Sequence, residues 1–433
     1  VTAALTGVGA ATGFMIHRQD QDKGILFHHR RQISDGQILL LVNTSIESSS
    51  SGTFESDLRG VEQWDPYTGG IQAYPFETVN GGIRAAFTLP PCGSLLVFLS
   101  NATTRPANAP ALTTSTIAPV SQAAQIRRLG PNVLTLDYMD VTAGGQTRTN
   151  TYFYQANQFA FQRNGMDRNP WDSAVQFKDE LITRTFSKDS GLTATYKFRI
   201  EDKVPAHLSL VVERPDLYAI TCNGRPVSSR PGRWWLDRAF GRIDLGAAAT
   251  LGENIVTLKA SPFTIDHELE PVYVLGDFSL RPLPQGFAID PDRPLSWGPW
   301  DQQGQPFYAE GVTYTQTYVL PRPRGRYAVG LAGWRGSVAQ VSVNGRACGT
   351  IVSAPWQCDV TDRVRSGRNV IEVTVIGTLK NTLGPHHGKP GLGSAWPGMF
   401  QQGPQDGPPP GGDYATVGYG LFEPFVLRGS TEK

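Results

Sequence analysis

Glu268 and Glu270, in Asp266-His267-Glu268-Leu269-Glu270, form the densest acidic cluster in the chain. Glycoside hydrolysis needs two carboxyl groups facing each other across a sugar. On an extended strand, residues i and i+2 share a face about 7 Å apart at roughly 3.3 Å per residue. That spacing makes Glu268 and Glu270 weak candidates for an acid/base pair; the alternative is a pair of solvated strand-edge glutamates. His28-His29-Arg30-Arg31 is a second cluster. A metal site needs histidine plus further ligands at suitable spacing, and none is evident nearby. The competing reading is a strand whose alternate residues pack while its arginines pair with acids. No Ser-His-Asp order, nucleotide loop or zinc pattern stands out.

A third set lies in a long Gly/Pro-rich loop, Gly384 to Gly412. Asn381-Thr382-Leu383-Gly384-Pro385-His386-His387 opens it, Trp396-Pro397-Gly398-Met399-Phe400 lies in its middle and Tyr414 follows its end. Aromatic faces cover the C–H surfaces of sugars while polar groups reach the hydroxyls. Asn381, His386, His387, Trp396 and Tyr414 supply both kinds of group and are the candidate substrate-binding residues. The alternative is that Trp396 and Phe400 cap a sandwich or dock on a neighbouring domain. A loop this long inside a compact sandwich is more often functional than incidental.

The elements that hold these residues read as strands. Ala339 to Val375 alternates apolar and polar residues up to Asn344-Gly345, the pair best suited to a type I′ hairpin turn. Trp356, Asp359-Val360-Thr361, the turn Gly367-Arg368-Asn369 and the strand Val370 to Val375 follow. The same order occurs earlier: Tyr218 to Cys222, Asn223-Gly224-Arg225, Trp234 to Asp237, then Gly252-Glu253-Asn254 and Ile255 to Leu258. Each copy is expected to close on a similar strand, Tyr273 to Phe278 and Tyr419 to Phe425. Two copies of one β-module are the strongest internal repeat. Upstream, Ile38 to Asn43, Arg84 to Leu89 and Ser94 to Leu99 read as strands of a separate unit. Asn132 to Tyr138 reads as a strand entering the first copy, and Phe153 to Trp171, with no clear period, as an inserted loop.

The chain has 433 residues, 47 of them glycine and 32 proline, with 18% charged residues and a net charge of +1. Short β-rich runs punctuated by turn residues make the class all-β. The near-neutral charge argues against nucleic acid or an anionic membrane as main partner, and no apolar run approaches a membrane span. No signal-peptide pattern follows Val1, so the chain is expected to begin inside a longer product. Four cysteines are too few for a disulfide framework; Cys348 and Cys358 are either bridged or buried free thiols. Asn43-Thr44-Ser45 and Asn101-Ala102-Thr103 are glycosylation sequons.

The Val-Asn-Gly-Arg turn, Asp359 to Asp362, the Gly-Arg-Asn turn and the Asn381 to His387 loop resemble the galactose-binding-like β-sandwich near the C-terminus of large glycoside hydrolases. His29-Arg30, Val42-Asn43-Thr44, Glu62 to Gly69 and Pro91-Cys92-Gly93-Ser94 look like the β-domain after the catalytic barrel of α-L-rhamnosidases of glycoside hydrolase family 106. The resemblance covers most of the chain and is weakest between Gly144 and Ser190. It implies tandem antiparallel β-sandwich domains, two of them galactose-binding-like jelly rolls. It also implies an upstream (β/α)8 barrel carrying two glutamates, a structural calcium, an oligo- or polysaccharide partner, and a secreted, periplasmic or cell-surface location. The loop from Asn381 to His387 would approach the sugar, and His28 to Arg31 would serve a domain interface. The expected organisation is a post-catalytic sandwich over 1–105, a linker over 106–116, a galactose-binding-like sandwich over 117–283, a linker over 284–305, a C-terminal galactose-binding-like sandwich over 306–428, and a tail over 429–433. This chain contains no barrel. The expected function is therefore an accessory, carbohydrate-binding part of a hydrolase, and the alternative is a stand-alone, non-catalytic binding or cell-surface protein.

Overall fold

The computed structural model describes residues 13–107, 112–121, 123–172, 179–388 and 396–432. Among the described residues it is all-β, three pairs of packed, almost wholly antiparallel sheets and one two-stranded ribbon, with a single α-helix longer than four residues. Each pair encloses its own apolar core, as two-layer sandwiches must to bury one face of each sheet.

The first sandwich sets Gly36–Asn43 and Ser94–Ser100 at the centre of a five-stranded sheet, over a four-stranded sheet built on Ser50–Ser56 and Gly82–Leu89. Leu26–Ile33, which carries His28 to Arg31, is an edge strand of the larger sheet. Arg30 does not pair with an acid there: its guanidinium lies 4.2 Å from the Phe14 ring centroid. Asn43 is completely buried, its side chain bonded to Ser48, Leu89 and Pro90 carbonyls and to the Ile25 and Ser45 amides. That sequon is closed to a glycan in the folded chain, whereas Asn101 is exposed.

The two module copies repeat down to single atoms. Asn223-Gly224 and Asn344-Gly345 both have positive φ at both residues, the geometry a type I′ turn requires. The Asn223 amide donates to Asn254 Oδ1 at 2.9 Å and the Asn344 amide to Asn369 Oδ1 at 3.1 Å. Asn254 and Asn369, fully buried, each donate back to a carbonyl two residues earlier, Gly252 or Gly367. The first copy pairs Gly252–Ala260 between Leu192–Ile200 and Ala219–Cys222; the second pairs Gly367–Ile376 between Val312–Leu320 and Val338–Val343.

The copies are interleaved in the chain. Leu112–Ile117, in and beside the stretch read as a linker, pairs along Val426–Glu432, which extends into the expected tail. Gln125–Arg128 pairs with Val312–Leu320. The last sandwich thus takes its first two strands from before the middle one. The middle sandwich begins only at Asn132–Leu136, paired with Val272–Gly276. The second copy closes on Val426–Glu432, paired with Arg326–Gly330, and not on Tyr419 to Phe425, where only Gly420–Leu421 is strand. Phe153 to Trp171 is likewise no loop: Phe153–Arg163 is an α-helix and Pro170–Asp172 a 3₁₀ turn. Cys348 and Cys358 are free thiols.

Candidate functional site

The helix Phe153–Arg163 starts where the strand Gln146–Tyr152 ends, its first amide held by the Asp137 carbonyl at 2.9 Å. It buries Phe153, Ala156, Asn157, Phe159, Ala160 and Phe161. Its Asn157 side chain accepts the Leu269 amide at 3.1 Å, and its Gln158 accepts the Asn169 amide at 3.0 Å. Those two bonds fix the segments carrying Glu268, Glu270 and Trp171 beside the helix.

Glu268 and Glu270 do not sit on a strand. They lie on an unpaired extended segment leading to Val272–Gly276. Its carbonyls are satisfied by side chains, Glu268 O by Tyr218 OH and Glu270 O by Tyr196 OH, each at 2.8 Å. His267 and Leu269 point into the core, while the two glutamates alternate outward to line one cavity of about 470 Å³.

The walls of that cavity are aromatic: Phe153 and Tyr154 from the helix, Trp171 from the turn, and Trp396 and Phe400 from the long loop of the last sandwich. Trp396 is 58% exposed. Trp171 is fixed by its indole N–H on the Ile265 carbonyl and its amide on Asn169 Oδ1, both at 2.9 Å. The Asn169 amide donates to Glu268 Oε1 at 2.8 Å, and Tyr154 and Gln158 both donate to Asp172 Oδ2. The cavity is a mainly apolar cleft, with Asn157 and Asn169 buried in its lining.

Burial pushes the Glu270 carboxyl up to about 8, with the charges of Glu268 and Glu213 adding to the shift. Burial also raises Glu268, and Asp266 and Asp172 work in the same direction against the Asn169 hydrogen bond. No ion pair to either glutamate occurs among the described residues. A glycosidase pair divides into one acid kept protonated and one carboxylate kept ionised; here both groups are pushed the same way.

The other loop residues lie elsewhere. Asn381, His386, His387 and Tyr414 are 1%, 4%, 7% and 7% exposed, packed between the middle and last sandwiches. His387 Nε2 lies 2.8 Å from Asp137 Oδ2, and Tyr414 OH donates to Asp137 Oδ1 at 3.1 Å. Asn381 exchanges two 2.8 Å hydrogen bonds with the Val417 backbone. His386 Nε2 meets the Asn381 carbonyl at 2.8 Å, and burial depresses its pKa to about 4. These four side chains are held by protein partners at the seam, and none of them lines the aromatic cleft.

Asp137, Tyr154, Asn157, Asn169 and Trp171 were missed from the sequence. Asp137 alone left a signal, an acid inside the apolar run Asn132 to Tyr138, since a buried carboxylate must find donors. No group of three or more His, Cys, Asp or Glu among the described residues is arranged to hold a metal, so no calcium ligand set is identified.

No family model matches the sequence, and no curated protein matches it. Among solved structures, the chain is similar to the rhamnosidase from Novosphingobium sp. PP1Y, at 16% identity and a TM-score of 0.43, covering 99% of this chain and 26% of that one. It is also similar to the Streptomyces avermitilis alpha-L-rhamnosidase complexed with L-rhamnose, at 11% identity and a TM-score of 0.23, covering 97% of this chain and 39% of that one. The chain therefore spans well under half the length of either protein.

Proposed function

We propose that the chain is the accessory, carbohydrate-binding part of a glycoside hydrolase of the α-L-rhamnosidase type. Its catalytic barrel belongs to another part of the protein, and the cleft between Trp171 and Trp396 holds a sugar unit of a polysaccharide. The observation that carries this reading is the cleft itself. Aromatic side chains from two sandwiches meet over a cavity of sugar size, with Glu268 and Glu270 in its lining to meet hydroxyls. A carboxyl kept protonated can donate as well as accept, which suits a hydroxyl-rich ligand. The motifs that resemble family 106 enzymes supply the enzyme class.

The test is titration of the purified chain with rhamnose-containing oligosaccharides, followed by tryptophan fluorescence, alongside an aryl α-L-rhamnoside turnover assay. Saturable binding is expected, weakened at least tenfold by Trp396→Ala with the melting temperature unchanged, and no turnover. Binding indifferent to Trp396→Ala sinks the cleft reading. Turnover that disappears with Glu268→Gln would place catalysis in the sandwiches instead.

A further inference from the structure

The seam between the middle and last sandwiches carries a second concave surface, of opposite character to the aromatic cleft. One cavity of about 550 Å³ is lined by Arg127, Arg128, Arg242 and Arg293 among others. A second, of about 280 Å³, is lined by Arg230, Arg233 and Arg242 with Ser209 and Ser228. Arg242 lines both, so the two are halves of one groove. Six arginines there face three aspartates, in a chain whose net charge is only +1.

Two of these arginines are already neutralised. Arg128 Nη2 lies 2.9 Å from Asp292 and Arg293 Nη2 lies 3.2 Å from Asp290. Arg127, Arg230, Arg233 and Arg242 have no ion pair among the described residues. Arg242 is the anchored one: it sits on the strand Asp237–Asp244, its amide bonded to the Arg233 carbonyl at 2.9 Å, and its Nε donates to the buried Ser209 hydroxyl at 3.0 Å. Its terminal nitrogens keep their donors for a ligand. Arg233 and Arg230 are held beside it by a turn whose amide-carbonyl bond is 3.1 Å.

We propose that this groove binds an acidic polysaccharide, its arginines taking carboxylate or sulfate groups carried along the sugar chain. Guanidinium groups match both anions in bidentate geometry. The aspartates set the polymer class. Asp244 and Asp277 supply acceptors for free sugar hydroxyls, which a glycan carries between its anionic groups and DNA lacks. The groove shares no lining residue with the aromatic cleft, so the two sites can be separated by mutation.

The full chain would be titrated at low ionic strength with oligogalacturonate, dextran sulfate, neutral dextran and single-stranded DNA. One or both acidic glycans should bind, the one that does identifying carboxylate or sulfate as the group recognised, and affinity should fall as salt rises. Arg230→Ala with Arg233→Ala, both exposed, should weaken that binding at least tenfold, and Arg242→Gln likewise, while Trp396→Ala leaves it unchanged. The proposal is overturned if neither acidic glycan binds, if the double substitution leaves affinity as it was, if neutral dextran binds equally, or if DNA binds as tightly as the glycans.

Discussion

The Glu270 carboxyl is pushed up to about 8 by burial, with the acidic neighbours Glu268 and Glu213 adding to the shift. Its folded pKa is raised above that of the unfolded chain, so between about 4.5 and 8 the folded state binds more protons than the unfolded one. Stability therefore falls as pH rises through that window. The penalty fully present above it is on the order of a few kcal/mol. Glu270→Gln should flatten this dependence, melting above the wild type at pH 9 and close to it at pH 4; equal melting curves at pH 9 would show that the carboxyl is not strained. The residue types of this cleft were half legible. Two glutamates and an exposed tryptophan can be picked from the sequence by their chemistry, but their meeting depends on Asn157 and Asn169, amides whose value lies only in what they hold. His386 and His387 look like ligand residues in sequence for the same reason that makes them good seam residues: an imidazole offers two ring nitrogens to polar partners in a dry place.

Hairpins were the elements the sequence specified best, because a two-residue Asn-Gly loop leaves little choice of turn, and alternation on either side fixes which face is buried. The helix Phe153–Arg163 was hidden for the converse reason. It is enclosed by the strand Tyr138–Ala143 on one side and by the Pro397–Gln401 turn on another, so its buried residues spread over a broad arc that includes the polar Asn157, and the 3.6-residue period is blurred. The buried asparagines that tie each module's hairpin to its neighbouring turn make a prediction at this scale. Asn254→Ala and Asn369→Ala each remove side-chain bonds to two turn carbonyls, a turn amide and the hairpin asparagine, although the last is solvent-accessible enough to find water in its place. At about 1 kcal/mol per net hydrogen bond, each should cost about 2–3 kcal/mol in denaturant unfolding, and by similar amounts. A cost confined to one copy would mean that the repeat is geometric without being energetic.

Across the whole molecule, tandem sandwiches could be read from recurring turns, but the interleaving of the last two could not. Leu112–Ile117 is a short run of threonines in a Pro- and Ala-rich setting, and only its partner Val426–Glu432 makes it a strand. A fragment beginning at 306 lacks both that strand and Gln125–Arg128. It should fail to fold cooperatively in circular dichroism and be cut quickly by protease, while 112–432 should fold; a protease-resistant 306–432 would make the two early strands dispensable. The same threading has a consequence for how the protein is made. Thr114 and Ser430 meet side by side although 316 residues separate them. At roughly 5–20 residues per second on the ribosome, the first strands of the last sandwich emerge roughly 15–60 s before their partner. For that interval the nascent chain must complete one sandwich while holding two loose edges of another, a stage at which a chaperone, or a neighbouring ribosome's product with the same loose edges, would find its opening.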